Sequence, residues 1–433
     1  MKKRNRVIVL TGVAVLFTLV VSARAQVKRM DASGQSLSQR RRAAKRYGDE
    51  HFRQGGWWSA WCIEKLMSKN SFTGSWSDRE TRPSLEEVIY GKRVDEEERD
   101  LSDAEIIRRA ARETLTELNE DDQEQGHKVV KKLAFLIRVN SAGDIQDVKL
   151  SNLSLPVDLE GRPLVWCGQA SEEESMVLVE QLYTSADNSD VQGELVTAAA
   201  LHPASDEVFS FLKGVLNSDA GDDVREKSAF WLGQQDSKRA LVLLKKTALK
   251  DRSSQVREKA VFAISQLEHE KAVEALMELA SESRDSEVRE KAVFWMGQHD
   301  DPRVLGMLKK IASRGGSLGE KAVFAVSQLS SEEALDMLIE LTGSDNEHQI
   351  RKKAVFWLGQ KASSKSKKVL NDVALSANDY ELQKQAVFSI SQLPAEESVP
   401  ALIRIAKTHK DYDIRKKAIF WLGQTEDDRA IAF

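Results

Sequence analysis

The chain has few cysteines, and this scarcity limits both disulfide and metal chemistry. Its 433 residues include only Cys62 and Cys167. Two cysteines cannot form a structural zinc site without histidines at suitable spacing, and none stands nearby. Both lie beside tryptophan, in "WWSAWC" and "LVWC", which predicts apolar surroundings for each thiol. In an exported protein two cysteines favour one bond, so Cys62 and Cys167 are a disulfide candidate, with two separate buried thiols as the alternative.

The sequence also lacks the short motifs that carry common catalytic chemistries. None of the HExxH, GxSxG, P-loop or Rossmann patterns occurs. Seven histidines are scattered along the chain, and only His269 is followed directly by Glu. One such pair cannot build a two-iron site. We therefore predict that the chain is not an enzyme, and that it holds no cofactor and no metal.

No charge of either sign dominates. The net charge is −4 and the pI is about 6.1, whereas a protein whose main partner is nucleic acid usually has a strong basic excess. We therefore predict no nucleic-acid partner. Charged residues make up 30% and apolar residues 41% of the chain, which is typical of a folded soluble protein. The length predicts two or more domains.

Only one long apolar run occurs, at residues 7–21, and it predicts export. Basic residues precede this run, and the small-residue site Ala23-Arg24-Ala25 follows it. The pattern predicts a signal peptide over residues 1–25, cleaved before Gln26, with an uncleaved anchor as the alternative. The run is too short for a comfortable membrane span. We therefore expect a periplasmic or secreted protein with no membrane span after cleavage.

The segment before the repeats has two predicted parts. Residues 26–50, with the basic cluster "QRRRAAKR", are typical of a linker. Residues 51–168 predict a small α+β region. In it, "GGWWSAWCIEKL" indicates a strand or a buried loop, residues 102–118 indicate a helix that opens with a capping box, and residues 132–151 indicate two strands around a turn.

Residues 171–433 repeat a ten-residue phrase. It reads "REKAVFAISQ" at 257–266, "REKAVFWMGQ" at 289–298 and "RKKAVFWLGQ" at 351–360. Seven clear copies follow one another at steps of 32 residues, with one step of 30, after a degenerate copy at Val191. Such fixed self-similarity indicates stacked supersecondary units. Each unit holds the phrase helix and a second apolar-periodic helix, and a capping box in "SEEE" opens the first helix of this segment.

The pattern D…V-R-E-K-A-V-F-x-L-G-Q resembles the HEAT repeats, in the short form also found in phycobilin lyase-like proteins. The resemblance covers residues 171–433 as about eight repeats, the last one incomplete. It implies an all-α right-handed superhelical solenoid of helix pairs, here preceded by the small α+β region, with the phrase helices on the concave side. It also implies a ladder in which Asp bonds the Arg at the second phrase position, a position that is Gly319 and Gln383 in two copies.

Rotation around a helix assigns the phrase positions to faces. With Val288 as position one, positions one, five, eight and nine share one face, which predicts a core face. Position eight alternates between large and small residues: Trp231, Ala263, Trp295, Ala325, Trp357, Ser389 and Trp421. Large residues in neighbouring repeats would collide, whereas large and small ones interdigitate. The alternation therefore predicts core packing with a true period of two repeats.

Positions seven and eleven lie almost opposite that face and are invariant among the seven copies. Position seven is Phe230, Phe262, Phe294, Phe324, Phe356, Phe388 and Phe420, and position eleven is Gln234, Gln266, Gln298, Gln328, Gln360, Gln392 and Gln424. In one interpretation Phe anchors a partner in a concave groove and Gln bonds its backbone. In the other, each Phe fills the gap between neighbouring phrase helices and Gln caps helix ends.

Position three also faces this groove, and its charge changes along the chain. It is Glu226, Glu258, Glu290 and Glu320, and then Lys352, Lys384 and Lys416. The second half of the groove is therefore basic, and a partner with an acidic stretch would bind best there. Ordinary solvated charge is the alternative.

Together these features favour a non-enzymatic exported scaffold that binds a protein or peptide in the concave groove. A lyase-like or hydroxylase-like HEAT enzyme is one alternative, although lyase activity would rest on fold analogy alone. A self-associating structural envelope protein is another. The last copy is followed by "TEDDRAIAF", the start of a second helix. Because terminal repeats need a polar outer face, either this tail caps the stack or the exposed flank joins another chain in an oligomer.

Overall fold

The computed structural model describes residues 26–30, 34–52, 55–68, 73, 83–91, 128–235, 237–299 and 301–433. The predicted signal peptide and the predicted helix at 102–118 lie outside these residues. The chain forms two compact units, Met1–Ala186 and Asp187–Phe433, called here the sheet unit and the array. Within the described ranges, no helix combines the length and the hydropathy that a membrane span requires.

The sheet unit contains a five-stranded mixed sheet of order β1-β5-β2-β3-β4. β5 is parallel to β1 and β2, while the β2–β3 and β3–β4 pairs are antiparallel. The predicted strand pair is confirmed, because Asn140 Oδ1 accepts the N–H groups of Ala142 and Asp144 in the turn between β3 and β4. The strands are β1 Val27–Arg29, β2 Trp57–Ser68, β3 Lys128–Val139, β4 Ile145–Asn152 and β5 Leu164–Gln169.

The predicted linker is wrong, because most of it is helix α1, Leu37–His51. A capping box between Ser36 and Gln39 opens this helix. Its buried residues are Leu37, Arg40, Ala44 and Gly48, which recur at helical spacing on one face. The sequence does not reveal this helix as amphipathic, because one of its four buried residues is an arginine. Arg40 donates to the carbonyl oxygens of Cys167 at 2.5 Å and Gln169 at 2.9 Å.

Two further helices belong to the sheet unit, α2 (Leu85–Tyr90) and α3 (Glu172–Ser185). The predicted capping box forms only in half, since Ser171 Oγ accepts the Glu174 N–H while the Glu174 side chain accepts the Leu37 N–H. The helix that it opens belongs to the sheet unit, so the predicted boundary near residue 171 is wrong. Trp61 Nε1 donates to Ser175 Oγ at 2.7 Å, which ties α3 to the sheet. The division between the units falls after Ala186.

The predicted disulfide does not form, and both cysteines are free and buried. Cys62 lies in the apolar cluster that contains Trp58 and Trp166. Cys167 Sγ lies 3.7 Å from Ser59 Oγ instead. Successive side chains of a strand point to opposite faces, so Cys167 faces away from the cluster that holds its neighbour Trp166. The alternative interpretation of two separate buried thiols is therefore the one that the structure supports.

The reactivity of the two thiols tests whether Cys62 and Cys167 are free and buried. Burial raises the pKa of the Cys62 thiol to about 12 and also raises the pKa of Cys167. Because the thiolate is the reactive form, we expect neither cysteine of the native chain to react with Ellman's reagent at pH 8. Both should react after unfolding in denaturant without reductant. A denatured chain that shows no thiol until a reductant is added would contradict the structure.

The array is a stack of helix pairs. The phrase helices are α4 (Ser189–Ala200), α6 (Asp222–Gly233), α8 (Ser254–Ser265), α10 (Ser286–Met296), α12 (Gly316–Gln328), α14 (His348–Lys361), α16 (Tyr380–Ser391) and α18 (Tyr412–Leu422). The companion helices are α5 (Asp206–Leu216), α7 (Lys238–Lys250), α9 (Ala272–Glu282), α11 (Pro302–Ser313), α13 (Glu332–Glu340), α15 (Ser364–Ser376), α17 (Ala395–Thr408) and α19 (Asp428–Ile431). The predicted fold class, a helical solenoid preceded by a small α+β unit, is confirmed.

Phrase helices pack on each other more closely along the stack than companion helices do. This is the arrangement expected of the inner layer of a curved stack. The core between the two layers is formed by phrase positions one, five, six and nine with the apolar faces of the companion helices. The remaining face of the phrase helices is directed away from that core.

The arginine–aspartate ladder implied by the HEAT resemblance is present and joins consecutive repeats. Arg225 contacts Asp251 at 2.7 Å, and Arg351 contacts Asp379 at 3.2 Å. Arg257 pairs with Asp285 in the same way. In each pair the carboxylate comes from the loop before the next phrase helix.

The ladder is interrupted at the 30-residue step. The loop before α12 has only two residues, and Gly315 and Gly316 have φ of 73° and 67°, in the left-handed region. A Cβ on Gly319 would lie 3.0 Å from Ile350 Cδ1, so any side chain at this position requires Ile350 to shift. Glu347 of the next repeat compensates, because its Oε2 accepts the Gly316 N–H at 2.8 Å.

Candidate binding face of the phrase helices

Three rows of side chains run along the exposed face of the phrase helices. Positions three and four lie one helical turn before positions seven and eight, and position eleven lies one turn after them. The side chains at these positions therefore share one face of each phrase helix and form rows across the stacked helices. We call them the charged row (positions three and four), the aromatic row (Phe at seven and Trp at eight) and the glutamine row (position eleven). The aromatic row consists of Phe230, Trp231, Phe262, Phe294, Trp295, Phe324, Phe356, Trp357, Phe388, Phe420 and Trp421.

The rings of the aromatic row touch in an unbroken series from one end to the other. Phe230 stacks on Phe262 with centroids 6.1 Å apart, and Phe262 meets Trp295 at 5.0 Å. Trp295 then meets Phe294 at 4.9 Å in an edge-to-face contact. The same three contacts recur in the next repeats, where Phe294 stacks on Phe324, Phe324 meets Trp357, and Trp357 meets Phe356. They recur once more, through Phe388 and Trp421, to Phe420. Centroids at these distances are favourable aromatic geometry.

The row is packed and accessible at the same time. Phe294 is 37% and Phe420 52% exposed, and the other phenylalanines of the row are half-buried. Each ring therefore fills the gap to its neighbour, as the packing interpretation predicts, and still presents a surface, while the partner-anchoring interpretation stays a prediction. The prediction that Trp belongs to the core is wrong, since all four tryptophans of the row are half-buried. Position six, such as Val293, takes that place in the core.

The period of two repeats is real, but its cause is the spacing of the helices. A Cβ on Gly297, at position ten, would lie 2.8 Å from the Ala325 Cα of the next repeat. Gly233 approaches Ala263, and Gly359 approaches Ser389, in the same way. Each Gly-containing repeat thus lies close to the next one, where only a small residue fits at position eight. Each Ser-containing repeat has Ser at position ten instead of Gly. The repeat that follows it carries Trp at position eight, and this Trp extends the aromatic row.

The glutamine row is exposed in all seven copies. Gln266, Gln328 and Gln392 donate to the hydroxyl of the preceding serine, at 3.0–3.2 Å. The capping interpretation is confirmed for Gln234, Gln266 and Gln392, which are the C-cap residues of α6, α8 and α16 and donate their backbone N–H groups to carbonyl oxygens of the last turn. None of the seven glutamine side chains bonds a helix-end carbonyl in the described chain, so this capping leaves the side-chain amides out. The indole N–H of Trp295, Trp357 and Trp421 likewise finds no acceptor among the described residues, whereas Trp231 donates to Thr197 Oγ1. Amide and indole groups therefore remain available beside the rings.

The charged row is mostly neutralised in its first half. There the Lys at position four pairs with the Glu at position three of the preceding repeat, as Lys291 does with Glu258 at 2.8 Å. Lys259–Glu226, Lys321–Glu290 and Lys353–Glu320 form the same pair at 3.4–3.9 Å. The mixed signs of this half are thus ion pairs between repeats.

The second half of the charged row is basic, as the sequence predicts. Glu381 lies 2.9 Å from Lys384 and 4.0 Å from Lys352, and the hydrogen bond from Lys384 lowers the pKa of Glu381. Lys416 has no ion-pair partner among the described residues. The excess positive charge therefore lies toward α18.

Sequence reasoning identified the Phe and Gln rows but missed two parts of this face. One is the tryptophans, which it assigned to the core. The other is the glycines at position ten, whose alternation with serine parallels that of Trp with Ala and could have been noticed. Within the described ranges, no group of three or more His, Cys, Asp or Glu side chains is arranged to hold a metal ion. His269 caps the start of a helix locally, accepting the Lys271 N–H at 3.1 Å.

Comparison with known proteins supports the repeat assignment. The family model described as HEAT repeats matches residues 244–318 and 368–433. No curated protein matches the chain. Among solved structures, human deoxyhypusine hydroxylase is similar at 16% identity, with 60% of this chain and 98% of that chain covered and a TM-score of 0.26.

Two other structures illustrate the range of similar proteins. The complex of CpcE and CpcF of phycocyanin lyase from Nostoc is 20% identical, with 52% of this chain and 91% of that chain covered and a TM-score of 0.28. Kap95p bound to RanGDP is 13% identical, with 62% of this chain covered and a TM-score of 0.38. The match spans 40% of the length of Kap95p.

Proposed function

We propose that the chain is a non-enzymatic exported scaffold that binds a protein or peptide along the exposed face of its phrase helices. The observation that supports this most directly is the continuous, half-exposed aromatic row. The export part of the proposal rests on the basic start, the apolar run and the Ala-Arg-Ala site at residues 23–25.

The chemistry of the face suits an extended polypeptide. Exposed ring surfaces such as that of Phe294 provide apolar contacts, and aromatic residues are common energetic centres of interfaces. The glutamine amides and the free indole N–H groups can donate to backbone carbonyls of the bound segment. Helices packed 8–10 Å apart would present one set of these groups for about every three residues of an extended chain.

Charge gives the bound segment a direction. The ion pairs of the first half leave little net charge, whereas Lys416 is unpaired in the described chain. An acidic stretch of the partner would therefore lie over the C-terminal half. This attraction should weaken as salt screens it, over a Debye length of about 8 Å at physiological ionic strength.

The test is affinity capture from the envelope fraction of the source organism, with the chain from Gln26 as bait. The informative variant changes Phe294, Phe324 and Phe356 to Leu, which keeps much of the apolar volume. We expect binding of the captured protein to weaken about tenfold or more, because three aromatic contacts are each worth about 0.5–1.5 kcal/mol. Circular dichroism and thermal melts establish that the variant folds.

A matched control changes Val242 and Leu249 to Ser. These apolar side chains are also exposed, but they lie on companion helix α7. The control should capture the same protein as the unmodified bait. A second arm changes Lys352, Lys384 and Lys416 to Glu and should reduce the salt dependence of binding. Equal capture by the folded Phe variant, or iron or pigment bound to the purified chain, would argue against the proposed function.

A further inference from the structure

Three basic side chains converge in the sheet unit, near the edge that β4 forms. Arg138 belongs to β3, Lys149 to β4, and Arg162 to the turn before β5. Arg138 Cζ lies 5.8 Å and Lys149 Nζ 4.7 Å from the ring centroid of the buried Trp58. Glu160 connects the third, because its carboxylate accepts Lys149 Nζ at 2.9 Å and lies 3.6 Å from Arg162 Nε. We call Arg138, Lys149 and Arg162 the basic cluster. Their side chains are 24–30% exposed, so a solute can reach them.

The two arginines of the basic cluster have unused hydrogen-bonding capacity. The Nε of Arg138 and the Nε of Arg162 are buried, and neither has a hydrogen-bond partner in the described chain. Arg138 Nε lies 3.8 Å from Asp147 Oδ2, and Arg162 Nε lies 3.6 Å from Glu160 Oε2. Both distances are too long for a hydrogen bond. Because buried donors in folded proteins are almost always paired, both groups call for an acceptor.

The carboxylate that lies among these groups is held there at a conformational cost. Glu160 has φ of 56° and is one of only two non-glycine residues with positive φ in the described chain. Gly161 follows with φ of 66°, and the Arg162 N–H donates to the Leu159 carbonyl at 2.9 Å to close the turn. Turns with positive φ at both central residues favour Asn, Asp or Gly, and not Glu. Backbone strain of this kind is concentrated at functional sites, so the placement of Glu160 points to a role for its side chain.

We propose that the basic cluster binds a phosphate group, which displaces the carboxylate of Glu160. A carboxylate has two oxygens, and Glu160 gives one to Lys149 and holds the other at a distance from Arg162. A phosphate group has three acceptor oxygens, one for each basic side chain. Guanidinium groups also match phosphate geometry in paired hydrogen bonds. Glu160 is then an internal competitor that occupies the basic cluster in the free protein. This site lies within the sheet unit and does not depend on the proposed function.

Two other carboxylates limit how strongly charge alone can hold the ligand. Asp147 lies beside Arg138, and Asp158 Oδ1 accepts the Glu160 N–H at 2.8 Å. With Glu160 displaced, they offset part of the positive charge of the basic cluster. The hydrogen bonds of the two arginines must therefore supply most of the binding energy. For this reason we expect loss of an arginine to weaken binding more than a rise in salt concentration does.

The test is a phosphorus NMR titration of inorganic phosphate with the full chain, in a phosphate-free buffer of constant ionic strength. Glu160→Gln should bind phosphate about tenfold more tightly than the unmodified chain, because glutamine keeps the size of the side chain but lacks the competing charge. Arg162→Gln should bind about tenfold more weakly, because charge-assisted hydrogen bonds are lost. The matched control is Arg252→Gln, which removes an exposed arginine of the array that pairs with Asp219. It should bind as the unmodified chain does, and circular dichroism establishes that all variants fold.

Further ligands test the chemistry of the bound group. Acetate should compete about tenfold less well than phosphate, because it offers two oxygens to three basic side chains. Equal competition would overturn the assignment to phosphate. Glycerol 3-phosphate and vesicles containing phosphatidate then distinguish a soluble phosphate ester from a lipid headgroup. Binding to either one that Arg162→Gln weakens would support the site and identify its source.

Three results would overturn the proposal. One is that neither the unmodified chain nor Glu160→Gln binds phosphate saturably. Another is that Arg162→Gln and Arg252→Gln bind phosphate equally, since the binding would then come from general positive charge. The third is that Glu160→Gln binds no more tightly than the unmodified chain and melts at a lower temperature. Glu160 would then serve only to fasten its turn to the sheet.

Discussion

Replacing Asp251 by asparagine should lower the free energy of unfolding of the array by about 3 kcal/mol, the scale of breaking a buried ion pair. The Arg225 side chain is 2% exposed and the Asp251 side chain 11% exposed. Arg225 Nη1 donates to both carboxylate oxygens of Asp251, at 2.8 and 2.7 Å. Without that carboxylate, the buried guanidinium keeps only Asp222, whose side chain is 44% exposed.

The matched control is Asp379→Asn, which removes the equivalent arginine–aspartate pair of another repeat, where both side chains are more exposed to solvent. The Arg351 and Asp379 side chains are 18% and 23% exposed, and a single contact of 3.2 Å joins them. Asparagine preserves the N-cap that Asp379 provides. We expect a loss of about 1 kcal/mol there, as for a solvated ion pair. If both variants lost the same free energy of unfolding, burial of Arg225 would not determine how much its ion pair with Asp251 stabilises the array.

Hydrogen exchange is the suitable measurement, because the stability of a repeat array is a sum of local and nearest-neighbour contributions. The change should be largest for amides of α6 and α8, which the Arg225–Asp251 pair joins. Amides of α16 should respond to Asp379→Asn instead. Urea denaturation followed by circular dichroism then gives the total change for each variant.

The sequence predicts the array well because the same environment recurs many times. Each phrase copy is an independent observation of one helix, so the core residues at positions one, five and nine stand out. The arginine ladder follows from the HEAT resemblance, and the Gly319 substitution correctly indicates where it is interrupted. The α1 helix had no such repetition. Its buried face includes Arg40, which local patterns class as solvent-exposed.

Contacts between distant residues explain most of what could not be predicted. β5 lies parallel to β2 about 105 residues away, as the Ser59–Val165 pairing shows, and only that register reveals that Cys62 and Cys167 face opposite ways. The binding face shows the same limit. Helical rotation alone put Trp295 on the core side, whereas its contact with Phe262 of the preceding repeat draws it to the exposed face. The Lys291–Glu258 pair also depends on the neighbouring helix.

The second large effect comes from glycine at position ten. Gly297→Leu should lower the free energy of unfolding by about 3 kcal/mol, at the upper end of the usual cost of overpacking. A Cβ there would lie 2.8 Å from both the Cα and the carbonyl oxygen of Ala325. These are backbone atoms, so α10 and α12 must separate to admit any side chain. The backbone at Gly297 has φ of −66°, which leucine adopts freely, so the cost arises from the contact and not from backbone strain.

Gly423→Leu is the matched control, because it makes the same change at the same phrase position, where no later phrase helix of the described chain packs against the glycine. Its φ is −67°, and its nearest neighbours would be carbonyl oxygens of its own helix at 3.5 and 3.7 Å. We expect its effect to stay within about 0.5 kcal/mol, as for other surface substitutions. Thermal and urea unfolding of the two variants measure the difference. A Gly297→Leu array as stable as Gly423→Leu would mean that close approach at position ten does not require the small residue in the next repeat. The alternation of Trp with Ala would then need a different cause.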